Sequence, residues 1–244
     1  NRIRSLEPLR GMRLVTLNCS GNPVSCLAPL AGMPLATLIC EGCPVERLEP
    51  LCGLPLAMLN FGGGKLVSGL EPLRGMTLRW LSCWGCGIED LEPLRGMPLT
   101  TLYCDGNRIR RLDPLAGMSL NTLICGGNVI ESLEPLRGMA LTTLHCAMNR
   151  ISDISALEGM PLNMFSCHSN AIRSLEPLRG MLLGALMCGD NALTSLEPFR
   201  EDPPYRFLFD WDSLPDSVWR DAAVGWSRDP RLAHHAANAN LLLA

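Results

Sequence analysis

A short repeat runs through the chain, and it constrains the fold more than any other feature. Asparagine recurs in one phase, at Asn1, Asn22, Asn107, Asn128, Asn149, Asn170 and Asn191. Ten units start at residues 1, 22, 43, 65, 86, 107, 128, 149, 170 and 191, and most are 21 residues long. A unit this short cannot bury its own apolar residues, so stacked neighbours must bury them together in a solenoid.

The pattern inside a unit predicts its local structure. Leu102 and Cys104 alternate with outward positions, which predicts a short strand that turns both of them inward. Leu112, Leu115 and Met118 then follow three residues apart, with a proline and a glycine between them. This spacing favours a tight turn or a 3₁₀ segment over an α-helix.

Written from its middle, a unit reads L-x-x-L-x-C-x-x-N-x-I, as at Leu99, Leu102, Cys104, Asn107 and Ile109. The motif resembles the leucine-rich repeat, and the L-x-P-L tail resembles the short, internalin-like repeats of bacterial proteins. Ten units cover roughly 210 of the 244 residues. The resemblance implies an α/β solenoid with a parallel concave sheet of about ten strands and turns or 3₁₀ segments on the convex side.

The last part of the chain departs from the repeat. We expect residues 1–210 to form the array and 211–244 to form a C-terminal helical cap. Pro215 suits the first turn of a helix over about 215–228, and a second helix is expected over about 231–243. Val218, Trp219 and Ala222 begin an apolar stripe at helical spacing. Such a cap would cover the apolar end that a solenoid otherwise exposes.

Composition excludes several classes of function. The net charge is −3 and neither half of the chain is strongly basic, which argues against a nucleic-acid surface. No apolar stretch is long enough to span a membrane. The sequence contains no P-loop, dinucleotide-binding glycine motif, nucleophile elbow or zinc-protease motif, so we predict neither an enzyme nor a bound cofactor.

Cysteine occupies one repeat position in eight units, at Cys19, Cys40, Cys83, Cys104, Cys125, Cys146, Cys167 and Cys188. We expect these thiols in the core, whereas Cys26 and Cys52 lie off this position. The pairs Cys40/Cys43 and Cys83/Cys86 have zinc-like spacing. In both, however, the second cysteine replaces the recurring asparagine, and the pairs lie two units, ~10 Å, apart. We therefore expect no metal, and the unpaired thiols favour a reducing, cytoplasmic location.

The outward strand positions vary while the rest of the repeat stays nearly fixed. Each unit has three such sheet-face sites, for example Trp80, Ser82 and Trp84. Aromatic side chains at exposed sites indicate a binding patch. The predicted partner-binding residues are Trp80, Trp84, Tyr103, Arg79, Asp105, Met58, Glu41, Ile124 and His145.

Two further sets of polar residues have a regular placement. His145 and His168 lie at sheet-face sites of adjacent units, but no patterned carboxylate or nucleophile accompanies them, which argues against a metal or acid–base pair. On the turn side, glutamates share one phase and arginines the phase three residues later, as at Glu92 and Arg95. We interpret these rows as a solvated face with weak ion pairs, the alternative being a docking surface.

These observations favour a non-enzymatic recognition or scaffold module that binds a protein partner on its concave face. One alternative is a regulatory or sensor segment of a larger enzyme, such as a kinase, that lies outside this chain. Another is a secreted adhesin or host-directed effector; the free thiols argue against surface exposure but fit an injected effector. A scaffold with an idle sheet surface is a further alternative, and the oligomeric state stays open.

Overall fold

The computed structural model describes residues 2–199 and 206–207, and the chain forms two compact units, Asn1–Val129 and Ile130–Ala244. The first unit has a six-stranded parallel sheet in sequence order: β1 (Thr16–Asn18), β2 (Thr37–Ile39), β3 (Met58–Asn60), β4 (Trp80–Ser82), β5 (Thr101–Tyr103) and β6 (Thr122–Ile124). The second unit has a parallel sheet of β7 (Thr143–His145), β8 (Met164–Ser166), β9 (Ala185–Met187) and β10 (Arg206–Phe207). The predicted solenoid of parallel strands is confirmed. The predicted helical cap over 211–244 lies outside the described residues.

Among the described residues, each strand is preceded by a three-residue 3₁₀ helix. In the first unit these helices are Glu7–Leu9, Ala28–Leu30, Glu49–Leu51, Glu71–Leu73, Glu92–Leu94 and Asp113–Leu115. In the second unit they are Glu134–Leu136, Ser155–Leu157, Glu176–Leu178 and Glu197–Phe199. Proline occupies the second residue of nearly all of them, where its fixed φ suits the turn and its missing N–H leaves no bond unmade. The expectation of 3₁₀ segments in place of α-helices is confirmed for the described residues.

The core lies between the strands and the 3₁₀ helices of each unit. Leu99, Leu102, Cys104, Ile109 and Leu112 are all fully buried, so one repeat supplies a complete cross-section of apolar side chains. The central residue of each strand from β2 to β9 is buried because successive side chains of a strand alternate between its faces. In this repeat, the periodicity of the sequence therefore predicts which side chains are buried.

The recurring asparagine joins each repeat to the one before it. Asn107 is buried, and its Oδ1 accepts hydrogen bonds from the backbone N–H groups of Cys86 and Ile88 at 3.0 and 2.9 Å. Its Nδ2 donates to the carbonyls of Cys83 and Cys104, both at 2.9 Å. Asn128 repeats the arrangement one unit later. These side chains satisfy backbone groups that would otherwise be buried without partners.

We expect Asn107→Ala to destabilise the protein strongly. The substitution leaves two buried N–H groups and two buried carbonyls without this partner, and each such group costs about 1–3 kcal/mol. Chemical denaturation should show a loss of about 3 kcal/mol or more in the free energy of unfolding. Asn18→Ala is the control, because Asn18 is exposed and should lose less than about 1 kcal/mol. If the free energy of unfolding fell equally in the two variants, the hydrogen bonds of the recurring asparagine would not be the source of this stability.

The turn after each strand from β1 to β9 contains a left-handed residue, and the two units supply this residue differently. Gly106 and Gly127 occupy the position in the first unit with φ of 63° and 61°. In the second unit Met148, Ser169 and Asp190 occupy it with φ of 55°, 54° and 49°. Aspartate tolerates this conformation, but a long side chain is strained there, so Met148 carries a conformational cost of about 1–2 kcal/mol.

Met148→Gly should therefore raise the free energy of unfolding, by roughly 0.5–1 kcal/mol after the added flexibility of the unfolded chain is subtracted. The Met148 side chain is 61% exposed, so its removal sacrifices little packing. Ala171→Gly is the matched control, since Ala171 is exposed and has no left-handed backbone. That change should lower stability by about 0.5–1 kcal/mol. Thermal and urea unfolding of both variants would measure the difference, and a less stable Met148→Gly protein would show that the position is unstrained.

Candidate functional site

The strands bring several of the predicted site residues together on the sheet face of the first unit. Trp80 lies between Met58 on β3 and Thr101 on β5, and Tyr103 lies between Ser82 on β4 and Ile124 on β6. The indole of Trp80 and the phenol ring of Tyr103 contact each other across β4 and β5, with centroids 5.4 Å apart and planes at 41°. Both side chains are half-buried. A tilted pair of this kind contributes about 0.5–1.5 kcal/mol beyond its buried area and holds both rings in place.

Trp84 does not join this ring pair but leans back across the preceding repeat. A Cβ atom added to Gly62 or to Gly63 would lie 2.3 Å from the Trp84 indole, so a side chain at either position would displace the ring. We call Gly62 and Gly63 the glycine shelf. The next residue, Gly64, is equally constrained, because its Cβ would lie 2.0 Å from the Cys43 carbonyl oxygen. The glycine run thus makes room for an indole that remains 38% exposed.

Two carboxylates accompany Trp84 along the same end of the sheet. Gly42 donates to the Gly62 carbonyl at 2.9 Å, which sets Glu41 one strand away from the glycine shelf. The Asn60 amide donates to Oε2 of Glu41 at 3.1 Å and so fixes the carboxylate. On the other side, Gly85 donates to the backbone carbonyl of Asp105 at 2.9 Å. Both acidic side chains are half-exposed.

Arg79 and His145 occupy different places from the residues just described. Arg79 is exposed and directly precedes β4; its carbonyl accepts hydrogen bonds from the backbone and hydroxyl of Thr100 at 2.8 and 3.1 Å. His145 belongs to the second unit, where its ring lies 6.1 Å from that of His168, centroid to centroid. Within the first unit, therefore, the structure groups Met58, Trp80, Tyr103 and Ile124 by register, with Trp84, Glu41 and Asp105 along one end of the sheet.

The histidine pair has polar company that the sequence did not reveal. Nδ1 of His168 lies 3.2 Å from the Ser169 hydroxyl, which donates to Oδ2 of Asp190 at 3.3 Å. The hydroxyl therefore stands between the imidazole and the carboxylate, an order that does not activate serine as a nucleophile. Among the described residues, no group of three or more histidine, cysteine or acidic side chains could hold a metal ion.

The structure also contains a charged groove of about 600 Å³ on the 3₁₀ side of the first unit. Its lining includes Glu89, Asp90, Glu92, Arg95, Arg108, Arg110, Arg111 and Asp113. Arg95 pairs with Glu92 at 2.7 Å and Arg108 with Glu89 at 3.5 Å, so the charges of the groove largely pair among themselves. The three arginines at 108, 110 and 111 could have indicated this groove from the sequence, but the repeat pattern alone did not predict it.

The glutamate and arginine rows on the turn side form discrete pairs inside single repeats. Arg95 donates from Nε and from one terminal nitrogen to the two oxygens of Glu92, and the same fork joins Arg137 to Glu134. The hydrogen bond from the guanidinium holds the pKa of Glu92 below its usual value. All these side chains are strongly exposed, so the pairs add little stability, as expected for a solvated face.

The cysteines lie where the repeat predicts. All eight at the shared position are buried, Cys26 and Cys52 are exposed, and all twelve are free thiols. Cys43 and Cys86 occupy the asparagine position; the thiol of Cys43 donates to the Cys19 carbonyl, with sulfur and oxygen 3.1 Å apart. Burial raises the pKa of Cys19 and of Cys125 to about 12 and that of Cys86 to about 11. These buried thiols are therefore neutral at physiological pH. Because the thiolate is the form that binds metals and attacks electrophiles, they serve as core groups.

The raised thiol pKa values make stability depend on alkaline pH. An unfolded thiol has a pKa of about 8.5, so above that pH the unfolded state binds fewer protons than the folded state, and stability falls as pH rises. Each buried thiol steepens the fall by up to about 1.4 kcal/mol per pH unit. Cys125→Ala should remove one such contribution between about pH 9 and 11, where Cys125 with its pKa of about 12 stays protonated.

The control is Cys52→Ala, which removes an exposed thiol and should leave the pH slope unchanged. Denaturant unfolding of both variants and of the parent across this pH range, under reducing conditions, gives the slopes directly. If the Cys125 variant keeps the parent's slope, that thiol already ionises in the folded state.

A parallel strand and a 3₁₀ helix in each described repeat, with asparagine in the turn of most repeats, define a leucine-rich-repeat fold that fits a bacterial, internalin-like protein. Among solved structures, the internalin InlF from Listeria monocytogenes is 27% identical, covers 82% of this chain and 68% of its own, and has a TM-score of 0.68. The functional domain of InlJ from the same bacterium, described as including a cysteine ladder, is 26% identical with a TM-score of 0.67. That match covers 86% of this chain and 46% of the InlJ chain. No family model and no curated protein matches the sequence.

These neighbours belong to a class of proteins that are typically non-enzymatic recognition modules. They lend no support to the alternatives of an enzyme's regulatory segment or a host-directed effector. Internalin relatives are often secreted or surface proteins, so the cytoplasmic location stays a prediction. No helix among the described residues has the length and the apolar surface needed to cross a bilayer.

Proposed function

We propose that the protein is a recognition module and that it binds a protein partner on the sheet face of its first unit. The observation that carries this proposal is the ring pair of Trp80 and Tyr103, half-exposed and fixed by mutual contact. Aromatic side chains held rigidly on a sheet lose little conformational entropy on binding and are enriched among the residues that dominate protein interfaces.

The surroundings of the ring pair support a central role for it. Met58 flanks Trp80 and Ile124 flanks Tyr103, so a band of apolar side chains crosses β3 to β6. The core beneath is formed by other residues, including Leu81 and Leu102, which are fully buried. The two rings can therefore be removed without opening the solenoid.

The pair Trp80→Ala with Tyr103→Ala tests the proposal. We expect the partner's affinity to fall by on the order of 100-fold or more, because central aromatic residues contribute about 2 kcal/mol or more each. The melting temperature should change little, since neither ring lies in the core. The partner is first captured by photo-crosslinking with the parent protein, then purified, and its affinity for each variant is measured by calorimetry.

Leu182→Ala is the matched control, because Leu182 is 86% exposed and lies in the second unit, outside the proposed surface. This variant should bind like the parent. A double variant that binds normally would place recognition elsewhere on the protein. A double variant that unfolds at a much lower temperature would show that the rings are structural.

A further inference from the structure

We propose that the partner carries a lysine or arginine side chain that lies on the Trp84 indole beside Glu41. This inference rests on the proposed function, and it adds the chemistry of one contact. Its basis is the juxtaposition of an exposed indole on the glycine shelf with a carboxylate one strand away.

The placement of Trp84 is unusual for a sheet-face residue. An outward side chain normally stands away from the sheet, whereas this indole lies against the backbone of Gly62 and Gly63 in the neighbouring repeat. The ring therefore has one face against the protein, and the side chain is still 38% exposed. A flat, exposed indole face attracts cations because of its quadrupole, and tryptophan is the strongest of the aromatic residues in this interaction.

The nearby charges favour a cation over a neutral ligand. Three sheet-face sites in each of six repeats give eighteen in the first unit, and Glu41 and Asp105 are the charged residues among them. By the strand register, Glu41 lies beside Gly62 under the indole, and Asp105 lies beside the backbone of Trp84 on its other side. A nearby positive charge is that of Arg79, which comes five residues before Trp84, ~16 Å along an extended chain. That distance exceeds the Debye length of about 8 Å at physiological salt, so Arg79 does not cancel these carboxylates.

The Glu41 carboxylate is already positioned for such a contact. Asn60 donates to its Oε2, which fixes the acid next to the shelf before any ligand arrives. A guanidinium or ammonium group stacked on Trp84 can then pair with Glu41 at the same time. Asp105 lies three strands from Glu41, ~14 Å, so it would attract a second basic residue of the partner instead of the same one.

The experiment selects 12-residue peptides from a random display library on the immobilised full-length protein. The best peptide is then synthesised in two forms, with arginine and with citrulline, which keeps the shape of arginine but has no charge. We expect lysine and arginine to be enriched by selection and the citrulline form to bind about tenfold more weakly. On Glu41→Gln and on Trp84→Ala, the arginine and citrulline peptides should bind with nearly equal affinity, because each variant lacks one of the two groups that contact the cation.

Thr122→Ser, at a sheet-face site of β6, is the control and should retain the parent's preference for arginine. The proposal is wrong if selection returns no binder or if basic residues are not enriched. It is also wrong if the ratio of the affinities of the arginine and citrulline peptides is the same for Glu41→Gln as for the parent.

Binding to the double variant distinguishes failure of the cation contact from failure of the proposed function. If peptides selected without basic residues lose affinity on Trp80→Ala with Tyr103→Ala, the sheet face is the binding surface and only the cation contact is wrong. If the selected peptides bind the parent, that double variant, Trp84→Ala and Glu41→Gln equally well, the proposed function itself fails.

Discussion

A buried amide between consecutive repeats is the interaction on which the structure depends. The strand ends in a turn whose backbone N–H and carbonyl groups point into the protein, away from water. One asparagine bonds groups of its own turn and of the preceding repeat, as Asn107 does with Cys104 and Cys83. Stacking is therefore specified by hydrogen bonds as well as by apolar contact, since a slipped register would leave these groups unpaired.

The cysteine that replaces this asparagine in two repeats supplies only part of its function. A thiol is a weak donor and a weak acceptor, whereas an amide offers two N–H groups and a carbonyl oxygen. Cys43 keeps the bond to the Cys19 carbonyl. The repeat that begins at Cys43 has 22 residues and ends in the glycine run, so the least regular repeat is also the one whose backbone the Trp84 indole lies against.

Much of the fold was predictable from the sequence because the repeat presents the same local rules ten times. The alternation at Leu102 and Cys104 and the three-residue spacing at Leu112 and Leu115 both correspond to what the structure shows. The candidate site was predictable only in part. The repeat determines the strand register, and the register places Trp80 near Tyr103, so this contact was predictable. The direction of the Trp84 side chain was not predictable, because it depends on glycines in a different repeat. The repeat consensus does not distinguish the three sheet-face sites.

Charged side chains are arranged differently on the two faces of a repeat, and the proposed recognition depends on this difference. On the turn side, glutamate and arginine stand three residues apart across a 3₁₀ helix, where side chains at that spacing are eclipsed and meet directly. Each fork neutralises itself within its own repeat, so adding repeats adds no net field there. On the sheet face of the first unit the charged sites are acidic, at Glu41 and Asp105, and they flank aromatic rings. In the recognition that we propose, apolar and aromatic surface would supply affinity, and the carboxylates at one end would decide which charge is accepted.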